Sequence, residues 1–226
     1  MIYLQDKSTT ELLYGGAASG GKTFLGCVWI TGNLIKYPGT RWLIGRARLN
    51  ALKKTTLLTL FDLLKQLRLK RDKDYHYNSS NSVLTFWNGS EIYLQDLYQD
   101  PSDPEFDTLG SSEYTGAFID EGAQITSQAK SVVLSRLRYK TKEYGIIGKM
   151  LVASNPTKNF LYYDFYKPWK DNKLPIFRRF VQALPQDNPH SDPNYLMQLS
   201  RLDTKTKARL LYGDWEYDAD PSKLIE

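Results

Sequence analysis

The chain has 226 residues, of which 41% are hydrophobic and 24% charged, a balance that is typical of globular domains and too apolar for a disordered protein. Its 30 Lys and Arg against 25 Asp and Glu give a formal net charge of +5, which allows a polyanionic partner without requiring one. A single cysteine cannot form an internal disulfide, and together with two histidines it cannot build the usual zinc sites. The sequence also shows no signal-peptide or membrane-span pattern, so we expect the protein to be located in a reducing cytosol.

The first part of the chain alternates between strand-like and helix-like segments. Glu11–Tyr14 is a short apolar run ahead of a Gly-Gly pair and predicts a buried strand. Lys22–Lys36 lacks proline, its apolar residues recur every three or four positions, and it predicts a helix that ends before a Pro-Gly pair. Arg41–Gly45 predicts a second buried strand, and Leu49–Leu69 predicts one long amphipathic helix.

A hairpin and further alternating elements follow. Asn88-Gly89 separates the alternating runs Val83–Trp87 and Ser90–Gln95 and predicts a hairpin with a two-residue type I′ turn. A strand, a helix and a strand are then predicted at Gly116–Asp120, Thr126–Arg138 and Lys149–Ser154. This spacing predicts an α/β fold in which helices flank a mostly parallel central sheet, with the hairpin inserted or at an edge.

The pattern changes after Pro175. Phe177–Leu184 predicts a last strand, prolines then interrupt the chain, and two short helical stretches precede Gly213-Asp214-Trp215. We therefore predict a core over residues 1–175 and a small appended lid or linker subdomain over residues 176–226.

A phosphate-binding loop is the most specific motif. GAASGGKT fits the pattern G-x-x-x-x-G-K-[ST] at every fixed position, between a predicted strand and a predicted helix. Backbone N–H groups at such a helix N-terminus face the phosphates, Lys22 reaches the β- and γ-phosphates, and the Thr23 hydroxyl ligates Mg²⁺. The predicted nucleotide-binding residues are Gly16, Ala17, Ala18, Ser19, Gly20, Gly21, Lys22 and Thr23.

Two carboxylates, Asp120 and Glu121, follow an apolar strand. Ligands bind at the carboxyl ends of strands in open α/β sheets, so we expect both residues to lie near the phosphate loop. Adjacent strand residues point in opposite directions, and the carboxylates can therefore differ in role: Asp120 holding Mg²⁺ through water, and Glu121 polarising the attacking water. A second acid favours an ATPase that converts hydrolysis into motion over a signalling GTPase, which uses glutamine for this water.

Ser154 and Asn155 end the next apolar strand, ahead of a proline. An amide in this position can hydrogen-bond the γ-phosphate or its water and transmit the loss of the phosphate to the following segment. An ordinary Asn-Pro turn is the alternative interpretation.

The chain resembles the large-terminase ATPase of tailed bacteriophages, the motor that packages viral DNA, from about Glu11 to Trp215. The resemblance rests on the order of the segments YGGAASGGKT, VLTFWNGSEIYLQ, LGSSEYTGAFIDEGAQIT, VLSRLRY, LVASNPT and LLYGDW. It implies a P-loop fold of the additional-strand (ASCE) type and ATP-driven translocation of double-stranded DNA into a procapsid. ATP and Mg²⁺ are the implied cofactors, and the implied coupling residues are Ser154 and Asn155.

The same resemblance implies partners and a location. The partners are double-stranded DNA, the portal protein, the small terminase subunit and sister copies in a ring on the portal, all in the host cell cytoplasm. The family's full-length protein continues into a nuclease, and we expect no nuclease activity here because the chain ends soon after Trp215. The acidic residues of the tail are accordingly predicted to be solvated charge: Asp214, Glu216, Asp218 and Asp220.

Arginine placement departs from many members of the family, which carry an arginine finger within the phosphate loop. Ala17, Ala18 and Ser19 occupy that stretch here, so we expect a finger from a neighbouring subunit. Arg136 is the preferred residue, and Arg138, about 200° away on the predicted helix, would then face elsewhere.

Other basic residues are candidates for contacts with DNA or a neighbouring subunit. Arg46 and Arg48 follow the second strand, which places Arg46 near the ligand-binding edge of the sheet. DNA phosphates, a neighbour's nucleotide or plain solvent are their alternative partners, and Arg138 is a further candidate for such a contact. A basic set near the second long helix is predicted to contact the DNA backbone, with a solvated helix face as the alternative: Lys53, Lys54, Lys65, Arg68, Lys70, Arg71 and Lys73.

Two other functions remain open from the residues alone. The first is another P-loop DNA translocase or helicase, although helicases normally have a second domain of similar size. The second is an assembly module in which nucleotide joins subunits and turnover is negligible. Glu121 argues against the module, because a protein that only binds nucleotide has no use for an acid that activates water.

Overall fold

One eight-stranded sheet organises the residues that the computed structural model describes, which are 2–217, with Thr108 lacking a described side chain. The strands are β1 (Glu11–Gly16), β2 (Arg41–Arg46), β3 (Tyr75–Asn78), β4 (Val83–Phe86), β5 (Glu91–Asp96), β6 (Gly116–Ile119), β7 (Lys149–Ser154) and β8 (Arg178–Ala183). None of the helices within 2–217 has the length and apolar character needed to cross a membrane.

Helices connect most of these strands. They are α1 (Ile2–Gln5), α2 (Lys22–Lys36), α3 (Leu49–Lys54), α4 (Thr56–Gln66), α5 (Asp107–Gly110), α6 (Ser127–Ser135), α7 (Thr141–Tyr144), α8 (Lys167–Lys170), α9 (Pro193–Ser200) and α10 (Thr204–Leu210). Two short 3₁₀ turns, Gly122–Gln124 and Pro185–Asp187, and a π-helix, Tyr162–Tyr166, complete the description.

The sheet has the order β3-β4-β5-β2-β6-β7-β1-β8. The six strands from β5 to β8 in this order pair in parallel, whereas β4 is antiparallel to both β3 and β5. The predicted mostly parallel sheet with an antiparallel hairpin is confirmed. Strand β7 lies between β1 and β6, which is the additional-strand arrangement that the resemblance implies.

Successive side chains of the central strands pack on opposite faces of the sheet. Leu12 and Phe118 belong to the core that includes α2 and α4, whereas Leu13 and Ile119 belong to the core that includes α6 and Trp215. Because both faces are covered, the four central strands β1, β2, β6 and β7 carry only apolar residues and glycine between their end residues, which explains their hydrophobic runs in the sequence.

The predicted helix Leu49–Leu69 is wrong in two respects: the structure divides it into α3 and α4 at Thr55, and α4 ends at Gln66, three residues earlier than predicted. Thr55 has φ −130° and ψ −76°, and its hydroxyl donates to the carbonyl of Ala51 (2.9 Å) while accepting from Arg46 (2.6 Å). Side-chain hydrogen bonds of this kind compete with the helical backbone. The break turns the start of α4 toward the sheet edge.

Helix α6 ends at Ser135, three residues earlier than predicted, so Arg136 and Arg138 lie beyond it. The chain here turns to run beside the segment ahead of β6, where the N–H of Tyr114 donates to the carbonyl of Arg136 (2.9 Å). The helical angle predicted between the two arginines is therefore wrong.

The hairpin forms as predicted, but its turn is not type I′. Asn88 lacks the positive φ that such a turn requires, and Gly89 alone of the pair has one, 78°. The N–H of Phe86 donates to Ser90 O and the N–H of Gly89 to Phe86 O, both at 2.9 Å, which makes a three-residue loop with a bulge at Gly89. The Asn88 amide donates to Leu34 O at the end of α2 (2.8 Å), a long-range contact that selects this turn.

The last described residues are tied to the core. Strand β8 pairs with β1, and the ring of buried Trp215 stacks on Tyr166 with centroids 5.5 Å apart. The predicted division at residue 175 stays a prediction, although β8 beyond it is a strand of the central sheet. Glu216 is exposed, as its prediction as solvated charge requires, and it accepts hydrogen bonds from Tyr162 and Lys170, both at 2.9 Å. Asp218 and Asp220 lie outside the described residues.

Close packing of α2 on the sheet gives a stability prediction. A Cβ at Gly26 would overlap the ring of Phe118, so we expect Gly26→Ala to lower the free energy of unfolding by about 1–3 kcal/mol through overpacking. Gly32→Ala in the same helix is the matched control, because a Cβ there meets nothing within 4 Å; this change is expected to stabilise by about 0.5–1 kcal/mol. Urea denaturation measures both, and equal shifts would contradict this packing.

Candidate active site

Four adjacent strands, β2, β6, β7 and β1, end at the same edge of the sheet. Their parallel register pairs Gly45 with Ile119, Ile119 with Val152 and Gly15 with Ser154. The segments that follow these strands carry most of the residues predicted to be functional, and the structure brings these segments together.

The phosphate loop leaves β1 at Gly16 and enters α2 at Lys22. The first hydrogen bond of this helix runs from the N–H of Leu25 to Gly21 O (2.9 Å), so the preceding N–H groups have no partner within the helix. Such a helix N-terminus, with its positive dipole end, is suited to an anion.

Two N–H groups of the loop are engaged elsewhere. Those of Ala17 and Ala18 donate to the carbonyls of Ala183 (2.9 Å) and Leu210 (2.7 Å). The Asn188 amide also donates to Ser19 O (2.7 Å). The N–H groups of Ala17 and Ala18 therefore do not face a phosphate site here, because Ala183 at the end of β8 and Leu210 accept their hydrogen bonds. Nucleotide binding by these two residues stays a prediction.

Lys22 is folded back onto the loop. Its ammonium donates to the carbonyls of Gly16 (3.4 Å) and Ala17. Burial lowers the pKa of Lys22 to about 8, although the charges of Glu121 and Asp120 act in the opposite direction. The site therefore holds a partly desolvated cation that a phosphate group would neutralise.

Asp120 is buried and accepts hydrogen bonds from two threonine hydroxyls. Thr23 donates to its two carboxylate oxygens at 3.2 and 3.3 Å, which joins the residues predicted to bind Mg²⁺. Thr56, at the start of α4, donates to Oδ2 at 2.6 Å. Sequence reasoning missed Thr56, and the adjacent threonines within an amphipathic run were the only local signal.

Glu121 begins the chain's turn away from β6 with φ 53° and ψ 49°. This left-handed conformation is uncommon for a residue with a side chain and is frequent at functional sites. Burial and the adjacent Asp120 raise the pKa of the Glu121 carboxyl, while Arg46 and Lys22 act in the opposite direction. A carboxylate with a raised pKa is a better proton acceptor.

Arg46 ends β2 close enough to Glu121 of the same chain for its charge to affect that carboxyl. It donates to Thr55 at 2.6 Å, and its buried Nε has no hydrogen-bond partner within 2–217. Arg48 instead lies with its guanidinium 3.4 Å from the ring centroid of Tyr98. Contacts of either arginine with DNA or a neighbouring subunit stay predictions.

Ser154 and Asn155 lie at the same edge. The Ser154 hydroxyl is buried and donates to the Asn155 carbonyl (2.9 Å). The side-chain oxygen of Asn155 is buried, with no hydrogen-bond partner in the described part of the chain. A buried, unpaired amide oxygen is rare in proteins and often marks a functional position.

The structure does not bring Arg136 or Arg138 to this site. Arg136 lies at the edge where β6 begins, opposite the phosphate loop, with its guanidinium beside Gly110. Arg138 forms an exposed ion pair with Glu113 (2.8 Å). A role for Arg136 toward a neighbouring subunit stays a prediction.

A protein-family model described as "Terminase large subunit, T4likevirus-type, N-terminal" matches residues 12–222 of the chain. No curated protein shows significant similarity to it.

Several solved structures have the same fold. The large terminase of the thermophilic bacteriophage D6E matches with a TM-score of 0.73 and 16% identity, over 94% of this chain and 49% of that one. The same protein in complex with ATP-gamma-S matches with a TM-score of 0.71 and 16% identity, over 94% of this chain and 48% of that one. The large terminase ATPase domain of Thermus phage P74-26 matches with a TM-score of 0.64 and 14% identity, over 93% of this chain and 90% of that one. The chain thus spans about half the length of the D6E protein, and the likeness confirms the P-loop fold.

Proposed function

Because the chain belongs to the family of large terminase subunits, matching its T4-like N-terminal part, we propose that it hydrolyses ATP to drive double-stranded viral DNA into a procapsid. Family membership supports a role in DNA packaging in general. The observation that carries the hydrolytic part is the meeting of Lys22, Asp120 and Glu121 at one sheet edge, beside the N-terminus of α2.

Nucleotide binding is proposed for the phosphate loop. The D6E large terminase, a protein of the same fold, has been solved with ATP-gamma-S and with ADP. In this chain, the N-terminus of α2 would hold the phosphate chain, and the Lys22 ammonium would move from the loop carbonyls to the β- and γ-phosphates.

The donor set beside the loop fits Mg²⁺. A threonine hydroxyl and a carboxylate 3.2 Å apart are oxygen ligands of the kind that this ion prefers. Residues 2–217 contain no cluster of three or more His, Cys, Asp or Glu that would hold a metal alone, which suits an ion bound together with substrate phosphates. When bound, Mg²⁺ neutralises charge on the phosphate oxygens.

The remaining steps belong to side chains of this site. Glu121 would accept a proton from the attacking water, and its raised pKa supports that role. Lys22 would stabilise the negative charge that develops on the γ-phosphoryl group. Asn155 would bond the γ-phosphate or the water with its amide and report the departure of phosphate to the segment after β7. An arginine from a neighbouring subunit, with Arg136 as our candidate, would complete the site.

The proposed partners follow from the family, and for DNA a basic surface of the chain adds support. They are double-stranded DNA, the portal protein, the small terminase subunit and further copies in a ring, in the host cell cytoplasm. Lys54, Lys65, Arg68, Lys70 and Arg71 are all exposed around α4, which supports contact with the DNA backbone.

Hydrolysis measured with and without linear double-stranded DNA tests the proposal. We expect phosphate release that requires Mg²⁺ and increases when DNA is added. An assembly module with negligible turnover is the competing function, and it predicts equal, background-level release from the wild type and Glu121→Ala. That outcome, with DNA and portal protein both present, would overturn the motor proposal.

A further inference from the structure

The break between α3 and α4 places two adjacent threonines against two residues of the site. Thr55 accepts a hydrogen bond from Arg46, and Thr56 donates one to Asp120. In an unbroken helix we would not expect the side chains of Thr55 and Thr56 to reach these two partners, one on β2 and one after β6. The break therefore has a consequence at the site, and nothing in the phosphate-loop motif itself accounts for it.

Thr56 makes the shortest hydrogen bond to the Asp120 carboxylate. Its Oγ1 lies 2.6 Å from Oδ2, compared with 3.3 Å for the hydroxyl of Thr23 to the same oxygen. Thr56 is fully buried and Asp120 is 4% exposed, so solvent does not compete for this contact. The N–H of Glu121 donates to the other oxygen, Oδ1, at 3.2 Å.

These contacts define how the carboxylate is oriented. The plane of an aspartate carboxylate rotates readily when nothing holds it, because its terminal torsion has a broad energy profile. Here Thr56 donates to Oδ2 and the Glu121 N–H to Oδ1, while the Thr23 hydroxyl lies within hydrogen-bond distance of both oxygens. If the Thr23 oxygen ligates Mg²⁺ through a lone pair, its single hydrogen can still donate to Asp120. Thr56 would then be the hydroxyl that serves this carboxylate alone.

We propose that Thr56 is a positioning residue, whose hydroxyl holds the Asp120 carboxylate in the orientation required by the Mg²⁺–nucleotide complex. This inference rests on the proposed function, since it presupposes that Asp120 serves the metal. Residues that orient a metal ligand from outside typically change metal affinity by 10- to 100-fold when they are removed.

Thr56→Val and Thr56→Ser separate the hydroxyl from the methyl group. We expect Thr56→Val to raise the Mg²⁺ concentration for half-maximal binding of a fluorescent ADP analogue about 10-fold, with ADP affinity in EDTA within twofold of the wild type. Thr56→Ser should keep the wild-type Mg²⁺ requirement. Thr59→Val, another threonine of α4, is the matched control and should change neither quantity.

An unchanged Mg²⁺ requirement in Thr56→Val would overturn the inference, as would an equal loss of affinity with Mg²⁺ and in EDTA. If Thr56→Val does not fold, Thr56→Ser decides, because a packing role for the methyl group predicts that serine alters the Mg²⁺ requirement. Failure of the proposed function is distinguishable: the wild type itself would then show neither Mg²⁺-dependent ADP binding nor hydrolysis.

Discussion

Replacing Glu121 with glutamine is expected to lower the turnover number for ATP about 10²- to 10⁴-fold, the usual contribution of a general base. Glutamine has nearly the same size as glutamate but cannot accept a proton from water. The side chain follows an already strained, left-handed backbone position, and glutamine meets the same constraint there. Nucleotide affinity should stay within about threefold, because the phosphate loop and Lys22 are unaltered.

Two measurements separate the chemical step from nucleotide binding. Phosphate release under single-turnover conditions measures the chemical step, and titration with a fluorescent ADP analogue measures affinity. Glu113→Gln is the matched control, because Glu113 lies ahead of the same strand, at the opposite edge, in an exposed ion pair with Arg138. It should leave both quantities unchanged. If affinity falls in Glu121→Gln as far as turnover does, the residue holds the site together and is not its base.

The parts of the fold that sequence predicted correctly are those determined by local pattern. Helix α2 begins and ends at the predicted residues, Lys22 and Lys36, because one apolar stripe runs between a glycine-rich loop and a Pro-Gly pair. Strand β7 was also predicted with its observed bounds, since the apolar run between its two polar end residues is typical of a strand buried on both faces. The phosphate loop is recognisable for the same reason, as its chemistry lies in eight consecutive residues.

The parts that sequence could not predict depend on distant partners. Leu52 and Leu60 lie on either side of the break at Thr55 and continue one apolar pattern, so periodicity alone predicts one helix. The break is stabilised by Arg46 and Asp120, which lie on other elements. Lys130 is a second case: a lysine is normally placed on a surface, yet it is 3% exposed here, because Glu11 and Asp164 both accept hydrogen bonds from it.

The same contrast between local pattern and distant partners applies to the residues of the candidate site. Sequence identified the residues at the carboxyl ends of β1, β6 and β7, because parallel strands bring their ends together. It placed Arg46 at that edge but could not say that the arginine's charge acts to lower the pKa of the Glu121 carboxyl, against burial and Asp120, which raise it. It also gave no sign that the carbonyls of Ala183 and Leu210 bind the outer side of the phosphate loop, since these contacts join residues far apart in the chain.

Lys22→Ala is expected to lower ATP turnover at least about 10²- to 10³-fold, the usual cost of removing one group that stabilises transition-state charge. The effect should fall mainly on turnover and on ATP affinity, and less on ADP affinity, because the ammonium is proposed to reach the γ-phosphate. The fold should survive. Burial lowers the pKa of Lys22 to about 8, which means that folding disfavours its charged form and that removing the charge relieves a cost.

The measurement compares phosphate release, ATP and ADP affinity, and urea denaturation for Lys22→Ala and Lys36→Ala. Lys36, in the last turn of the same helix, is exposed and should tolerate the change in all assays. Stability that stays at the wild-type level while turnover is lost would assign Lys22 to chemistry rather than to folding. Near-normal turnover in Lys22→Ala would mean that the triphosphate is bound elsewhere, because no other lysine or arginine of residues 2–217 donates a hydrogen bond to the carbonyls of this loop.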